Sequence, residues 1–308
     1  MSFSKETKQA LCAVQTESDE QRAALVYGMA LFSKQFGANA VSFTTESRPA
    51  AELYSQLISS YAGVIVEMNA RLTRRGGERS LYSLRIPDRN DCARLFDMLG
   101  HNKESLSLRI NRANIDGESC VPCFLRGVFL VCGSVSDPEK DYHLEFAVPH
   151  KNLAADLERL ISEIEEINTE PRTVLRKGSY VVYIKGSDNI QDMLTYIGAP
   201  YSALNIIQTR IKKSLRNKVN RQINSETANL NKTANASAKQ LIAIETISKI
   251  KGLNSLPDDL REIARLRLEH PEFNLRELGE ALAVPISRSG ANHRLQRIMA
   301  IAEELEGR

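Results

Sequence analysis

Three groupings of side chains in this 308-residue chain have the types and spacing for chemistry. The first is Cys120-Val-Pro-Cys123, the C-x-x-C separation of redox pairs and zinc sites. It precedes an apolar helix, and a helix N-terminus can depress a thiol pKa. A tetrahedral zinc needs four ligands, and no second C-x-x-C or paired histidine completes the set. Cys12, Cys92 and Cys132 bring the total to five, an odd number without a framework pattern, so reduced structural thiols are expected. The second grouping is His143 and Glu145, which share one side of a strand by its period of two. No third ligand or nucleophile accompanies them. The third is Ser287-Arg-Ser-Gly-Ala-Asn-His-Arg-Leu-Gln-Arg297, where Ser287, Arg288, Ser289, Asn292, His293, Arg294 and Arg297 are candidates for contacting a nucleic acid. Arginine forks onto guanine and asparagine onto adenine, each good bidentate pair giving about 1 to 3 kcal/mol of discrimination. Nucleophile elbows, glycine-rich phosphate loops and H-E-x-x-H are absent. No enzyme, resident metal or cofactor is expected, and double-stranded DNA is the expected partner.

The third grouping needs a helix-turn-helix to present it. Residues 256–268 read as a helix with Pro257 in its first turn, stopped at His270-Pro271. Residues 275–282 follow, with Asn274 as N-cap, then a turn of about four residues and a final helix capped by Ser287. Leu275, Leu278, Leu282, Ile286, Leu295 and Ile298 would form the core of this 253–308 domain. Ahead of it, residues 201–252 read as a basic helical linker. From Asn205 to Lys251, ten basic residues stand against Glu226 and Glu245, a net of +8 in a chain whose total is +3. Concentrated positive charge is the footprint of a polyanion partner. Lys212, Lys213, Arg216 and Arg221 are the expected phosphate anchors, beside a helical strip of Asn217, Asn220 and Asn224. Asparagine amides around 225–233 offer the alternative of helix caps. Ala238, Leu241, Ile242, Ile244, Ile247 and Ile250 then space out an amphipathic helix stopped at Gly252.

The first 200 residues are organised around Cys123-Phe-Leu-Arg-Gly-Val-Phe-Leu-Val-Cys-Gly133, an almost wholly apolar helix that must be covered on every side. Gly133 is expected to close it in a left-handed conformation. A weaker copy, Ala24-Leu-Val-Tyr-Gly-Met-Ala-Leu-Phe-Ser33, puts Gly28 where the first has Gly127, and two such helices can cross closely at their glycines. Tyr82, Leu84, Ile86 and Gly100 correspond at one constant offset to Tyr180, Val182, Ile184 and Gly198. The pattern is a duplicated α-β-α-β-β-α unit, about 20–100 and 120–198, in an α+β chain. Phe3 to Ser18 reads as a short leading helix. Residues 102–119 join the copies, their central alternation could add a strand, and Arg71-Leu-Thr-Arg-Arg-Gly-Gly77 reads as a basic hairpin tip.

This arrangement resembles the LAGLIDADG homing-endonuclease fold. In that fold each central helix ends in an acidic residue, and the two carboxylates hold the divalent metals of phosphodiester hydrolysis. The corresponding positions here are Ser33 and Cys132, neither of which can supply the charge, and Asp137 lies about one turn too far. The expectation is a degenerate, catalytically inactive relative. A residual metal-dependent endonuclease is the alternative, and would need carboxylates elsewhere.

Taken together, Leu275-Arg-Glu-Leu-Gly279, Ile286-Ser-Arg-Ser-Gly-Ala-Asn-His-Arg-Leu295, Arg216-Asn-Lys-Val-Asn-Arg221, Phe124-Leu-Arg-Gly-Val-Phe-Leu130, Gly133-Ser-Val-Ser-Asp-Pro138 and Tyr142-His-Leu-Glu145 resemble the WhiA family of bacterial regulators over essentially the whole chain. Arg288 stands where lysine is frequent in that family, which keeps the charge. The resemblance implies a sigma-region-4-like helix-turn-helix and a DNA-binding transcriptional regulator of cell division, chromosome segregation and, where it occurs, sporulation. Another regulator, a division or nucleoid protein, or a small ligand held by the first domain is the alternative partner, in a division factor for which DNA binding is secondary. No run of about 18 apolar residues and no apolar leader occur, so the expected location is cytoplasmic, at the nucleoid, without membrane contact.

Overall fold

The computed structural model describes residues 2–73, 79–102, 107–117, 119–167 and 169–307. The chain falls into two compact units, Met1–Lys213 and Ser214–Arg308. The first begins with α1 (Phe3–Cys12) and holds two copies of one motif. In the first copy α2 (Asp19–Leu31) is followed by β1 (Gln35–Gly37), β2 (Ala40–Thr45), α3 (Arg48–Ala62), β3 (Glu67–Thr73), β4 (Arg79–Arg85) and α4 (Arg89–Met98). In the second, α5 (Cys120–Cys132) is followed by β5 (Gly133–Val135), β6 (His143–Val148), α6 (Lys151–Ser162), β7 (Arg172–Arg176), β8 (Ser179–Lys185) and α7 (Ser187–Tyr196). Both antiparallel sheets have the same order, β1-β2-β4-β3 and β5-β6-β8-β7. Leu84 sits opposite Phe43, and its counterpart Val182 opposite Phe146. Each copy has one strand more than the sequence pattern indicates. β1 and β5 are three residues long, too short to show an alternation.

The two copies meet at α2 and α5. A Cβ on Gly28 would lie 2.2 Å from Phe124 O, and one on Gly127 would lie 2.5 Å from Leu25 O and 2.9 Å from Met29 N. Backbone therefore packs on backbone, and only glycine fits at either point. Val26, Tyr27, Met29, Phe124, Leu125, Val128 and Phe129 are all buried around the crossing. Gly133 departs from expectation. Its φ of −80° and ψ of 154° are extended, and glycine is needed there because a Cβ would meet the Phe129 ring at 2.4 Å.

Tyr27 ties the segment that joins the two copies to this core. Its hydroxyl accepts from Asn111 N at 2.7 Å and lies 3.2 Å from His101 Nε2. Burial pushes the Tyr27 pKa up to about 12. The His101 ring packs against Phe36 and Phe96. Residues 107–111 form no strand. They are held irregularly by Asp156, which pairs with Arg109 and accepts from Ile110 N at 3.0 Å. Residues 103–106 of the expected strand, and Arg74, Arg75, Gly76 and Gly77 of the expected hairpin tip, lie outside the described residues.

α8 (Pro200–Ile250) runs for 51 residues, helical through the asparagine-rich stretch rather than broken into capped pieces, and contributes to both units. Gly252, with φ of +76°, follows its end. The second unit adds α9 (Asp258–Glu269), α10 (Leu275–Glu280) and α11 (Arg288–Glu306). Ala243, Ile244 and Ile247 of α8 join Leu260, Ile263, Leu278, Leu295 and Ile298 in its core. Ile242 and Ile250, expected to be apolar-face residues, are exposed. Among the described residues no helix is long and apolar enough to cross a membrane.

Gly127→Ala is expected to cost the first unit about 3 kcal/mol, since the clash is with backbone that no rotamer change relieves; urea denaturation measures it, and a loss below about 1 kcal/mol contradicts the crossing. His101 gives a pH-dependent outcome. Burial lowers its pKa below 6.5, so the unfolded chain takes up the proton first and stability falls as the pH drops through that value. Melting temperatures of a His101→Gln variant should decline less between about pH 7 and about pH 5 than those of the parent chain.

Candidate nucleic-acid interface

α11 is placed by two caps and one glycine. Asn274 accepts from the backbone N–H groups of Arg276 and Glu277, and the Glu277 carboxylate accepts from Asn274 N at 2.7 Å, a reciprocal capping box that fixes α10. The connection to α11 spans residues 281–287, longer than the expected turn because α10 ends at Glu280. It folds back tightly: Ile286 N donates to Gly279 O at 3.0 Å, and a Cβ on Gly279 would sit 2.5 Å from Ile286 O. Ser287 Oγ then accepts from Gly290 N and caps α11.

Ala291, Leu295, Ile298 and Ala302 are the buried stripe of α11. On the opposite side, Ser289, His293 and Gln296 follow one another at four and three residues and are exposed. Arg288 is exposed in the first turn, and Asn292 is half-buried on its flank. Arg294 and Arg297 are not free in the way the sequence suggests. Both turn to Asp259 at the start of α9, with Arg294 Nε 3.9 Å and Arg297 Nη1 3.5 Å from the same carboxylate oxygen. Gln296, which sequence reasoning passed over, takes a place on the outward strip and brings an amide suited to adenine. Its signal was the three-residue step from His293.

The basic segment of α8 divides similarly. Ile206 is buried, and the strip continuing from it through Arg210 and Lys213 packs on the first unit. Arg210 pairs with Asp188 at the start of α7. Lys213 Nζ donates to Pro138 O at 2.7 Å and lies 4.9 Å from the centre of the Tyr142 ring. The expected anchor Lys213 is thus engaged in holding α8 to the β5–β6 connection. Lys212 and Arg216, one turn apart on another face, are exposed. Arg221 is exposed too, with Nε directed to its own helix at Asn217 O.

Of the two positions that the LAGLIDADG resemblance aligns with carboxylates, Ser33 is buried, with Oγ 2.7 Å from Met29 O and 3.1 Å from Tyr54 Oη. Cys132 Sγ lies 3.4 Å from Val128 O, and burial pushes its pKa up to about 12. Lys8 Nζ donates to Leu130 O at 3.1 Å, putting an amine at the end of α5, near Cys132. Divalent metals need hard, charged oxygen ligands, and a neutral hydroxyl, a neutral thiol and an amine do not fit them. Among the described residues no cluster of three or more histidine, cysteine, aspartate or glutamate side chains could hold a metal ion. Cys120 and Cys123 are buried, and desolvation raises both thiol pKas, so burial outweighs the helix N-terminus and disfavours the reactive thiolate. His143 and Glu145 do share a face, Nε2 to Oε2 at 3.2 Å, with His143 stacked on Tyr183 and Arg176 3.7 Å from Glu145.

Comparison with known proteins agrees with this division. The WhiA LAGLIDADG-like domain matches residues 121–216, and the WhiA C-terminal HTH domain matches residues 219–302. A probable cell division protein WhiA of Clostridium botulinum is 38% identical over 99% of both chains. The chain belongs to the WhiA family. A WhiA protein of Thermoanaerobacter sp. is 37% identical, covering 100% of this chain and 99% of its own. The solved full-length DUF199/WhiA from Thermatoga maritima matches with a TM-score of 0.59 at 25% identity, covering 99% of each chain. The junction between the two WhiA domain matches lies within α8, between residues 216 and 219, close to the boundary of the two compact units.

In this WhiA chain, Lys213→Ala should lower the stability of the first unit by about 1 kcal/mol through loss of the carbonyl and ring contacts. Denaturant titration measures the loss, and unchanged stability with uniformly weakened DNA binding would show Lys213 to be a phosphate anchor instead.

Proposed function

We propose that the protein is a sequence-specific, double-stranded-DNA-binding transcriptional regulator that acts in cell division and, with it, chromosome segregation and sporulation where that occurs. The observation that carries this reading is the outward strip of α11, with Ser289, His293 and Gln296 exposed beside Arg288 on a helix whose other side is fully packed. A rigid helix with donors and acceptors on its free N-terminal half is suited to the major groove. Arg288 and Gln296 take the roles of base readers, and Lys212 and Arg216 those of phosphate anchors. Arg294 and Arg297 serve the packing of α11 on α9 through Asp259. The family relation to proteins named for cell division supports the cellular role. Ser33, Cys132 and Lys8 support a non-catalytic first unit.

Fluorescence anisotropy of the full chain, with duplexes selected from a random pool and with unselected duplex, tests this assignment. Arg288→Ala and Gln296→Ala should each weaken the selected duplex by about 1 to 3 kcal/mol and leave unselected duplex nearly unchanged. Lys212→Gln with Arg216→Gln should weaken both and flatten the log-log salt slope by about one per residue. Equal losses on both duplexes for all variants would overturn the separation of reading from anchoring, and Mg²⁺-dependent strand cleavage would overturn the inactive first unit.

A further inference from the structure

Within the second unit, α8, the end of α9 and the starts of α10 and α11 line a half-open cavity of about 470 Å³. Lys232, Arg267, Arg276 and Arg288 line it, and no aspartate or glutamate does. Arg276 is partly satisfied by Glu280 at 2.8 Å. Arg267 is different: it is 2% exposed, and its Nη1 donates only to the carbonyls of His270, Pro271 and Phe273, at 3.5, 3.3 and 2.6 Å. Its Nε has no partner. Burial disfavours its charge and the nearby Glu272 carboxylate offsets that only in part, so an anion in the cavity would offset more of the cost. In the same wall, Gln240 is buried and its Oε1 also lacks a partner. The lining therefore presents positive charge together with an acceptor that lacks a donor.

We infer that this cavity is a ligand site for a phosphate group that also carries a hydroxyl, as hydrogen phosphate does at about pH 7. The phosphate oxygens meet Arg267, with Lys232 and Arg288 at the mouth, and the hydroxyl donates to Gln240 Oε1. Arginine suits such an oxyanion because its planar fork presents several donors at once. A bridging phosphodiester of a DNA backbone has the charge and no hydroxyl. The site goes beyond DNA binding and, where Arg288 reads bases as proposed above, opposes it: a ligand that engages Arg288 removes it from the groove.

Isothermal titration calorimetry and thermal melting of the full chain at about pH 7, at ionic strength fixed with NaCl, test the site with inorganic phosphate and with sulfate, which matches phosphate in charge and shape and lacks the hydroxyl. Arg267→Met could simply fail to fold, so the variants are Lys232→Gln and Ala236→Glu, both at exposed positions on α8 that line the cavity. The expected result is saturable phosphate binding with a raised melting temperature and weaker sulfate binding. Ala236→Glu should lose the phosphate response and Lys232→Gln should weaken it several-fold, both melting normally without phosphate. No phosphate response beyond the chloride control, or one that persists in Ala236→Glu, would overturn the site. Equal phosphate and sulfate responses would overturn the hydroxyl-bearing ligand in favour of an oxyanion cradle that a DNA phosphate can fill.

Discussion

The crossing of α2 and α5 is the contact on which the rest of the first unit depends. With glycines at 28 and 127 the two backbones come closer than any side chain allows, and the flanking apolar residues are buried on all sides. The two like copies are arranged around that line, one four-stranded sheet to each helix. By the resemblance to the LAGLIDADG fold, the acidic positions of that fold correspond to the ends of both helices. Here those ends carry Ser33 and Cys132, with the Lys8 amine directed to Leu130 O. Packing of the pair needs no carboxylate, so the crossing does not depend on which residues stand at those ends.

Charge is divided along α8 by what each face touches. The face that begins at buried Ile206 uses Arg210 and Lys213 as contacts to Asp188, Pro138 and Tyr142. The face carrying Lys212 and Arg216 is left to solvent. A net charge counted along the sequence adds these together, although only the second set is available to a partner. The same distinction applies in α11, where Asp259 engages Arg294 and Arg297 and leaves Ser289, His293 and Gln296 outward.

Most of the fold was legible because it rests on local periodicity. The two glycine-bearing apolar helices, the repeat with its offset of 98 residues (Gly100 and Gly198 both in positive φ), and the Asn274 and Ser287 caps are written in neighbouring residues. Features set by distant partners were not. Gly133 answers to the Phe129 ring rather than to a left-handed turn. Lys213 finds Pro138, 75 residues earlier, and Arg294 finds Asp259, 35 residues earlier. Neither spacing has a periodic signature. Gln296 was readable from helical spacing and was masked by the arginines on either side of it.

Hydrogen–deuterium exchange of the full chain, with and without a selected duplex, tests the central claim most directly because it reports every element at once. The account predicts that DNA slows exchange in the segment 287–297 and in the part of α8 around 212–221, and leaves α2 and α5 unchanged. Protection confined to the strands of the two sheets, with residues 287–297 unaffected, would contradict it and assign the DNA surface to the first unit.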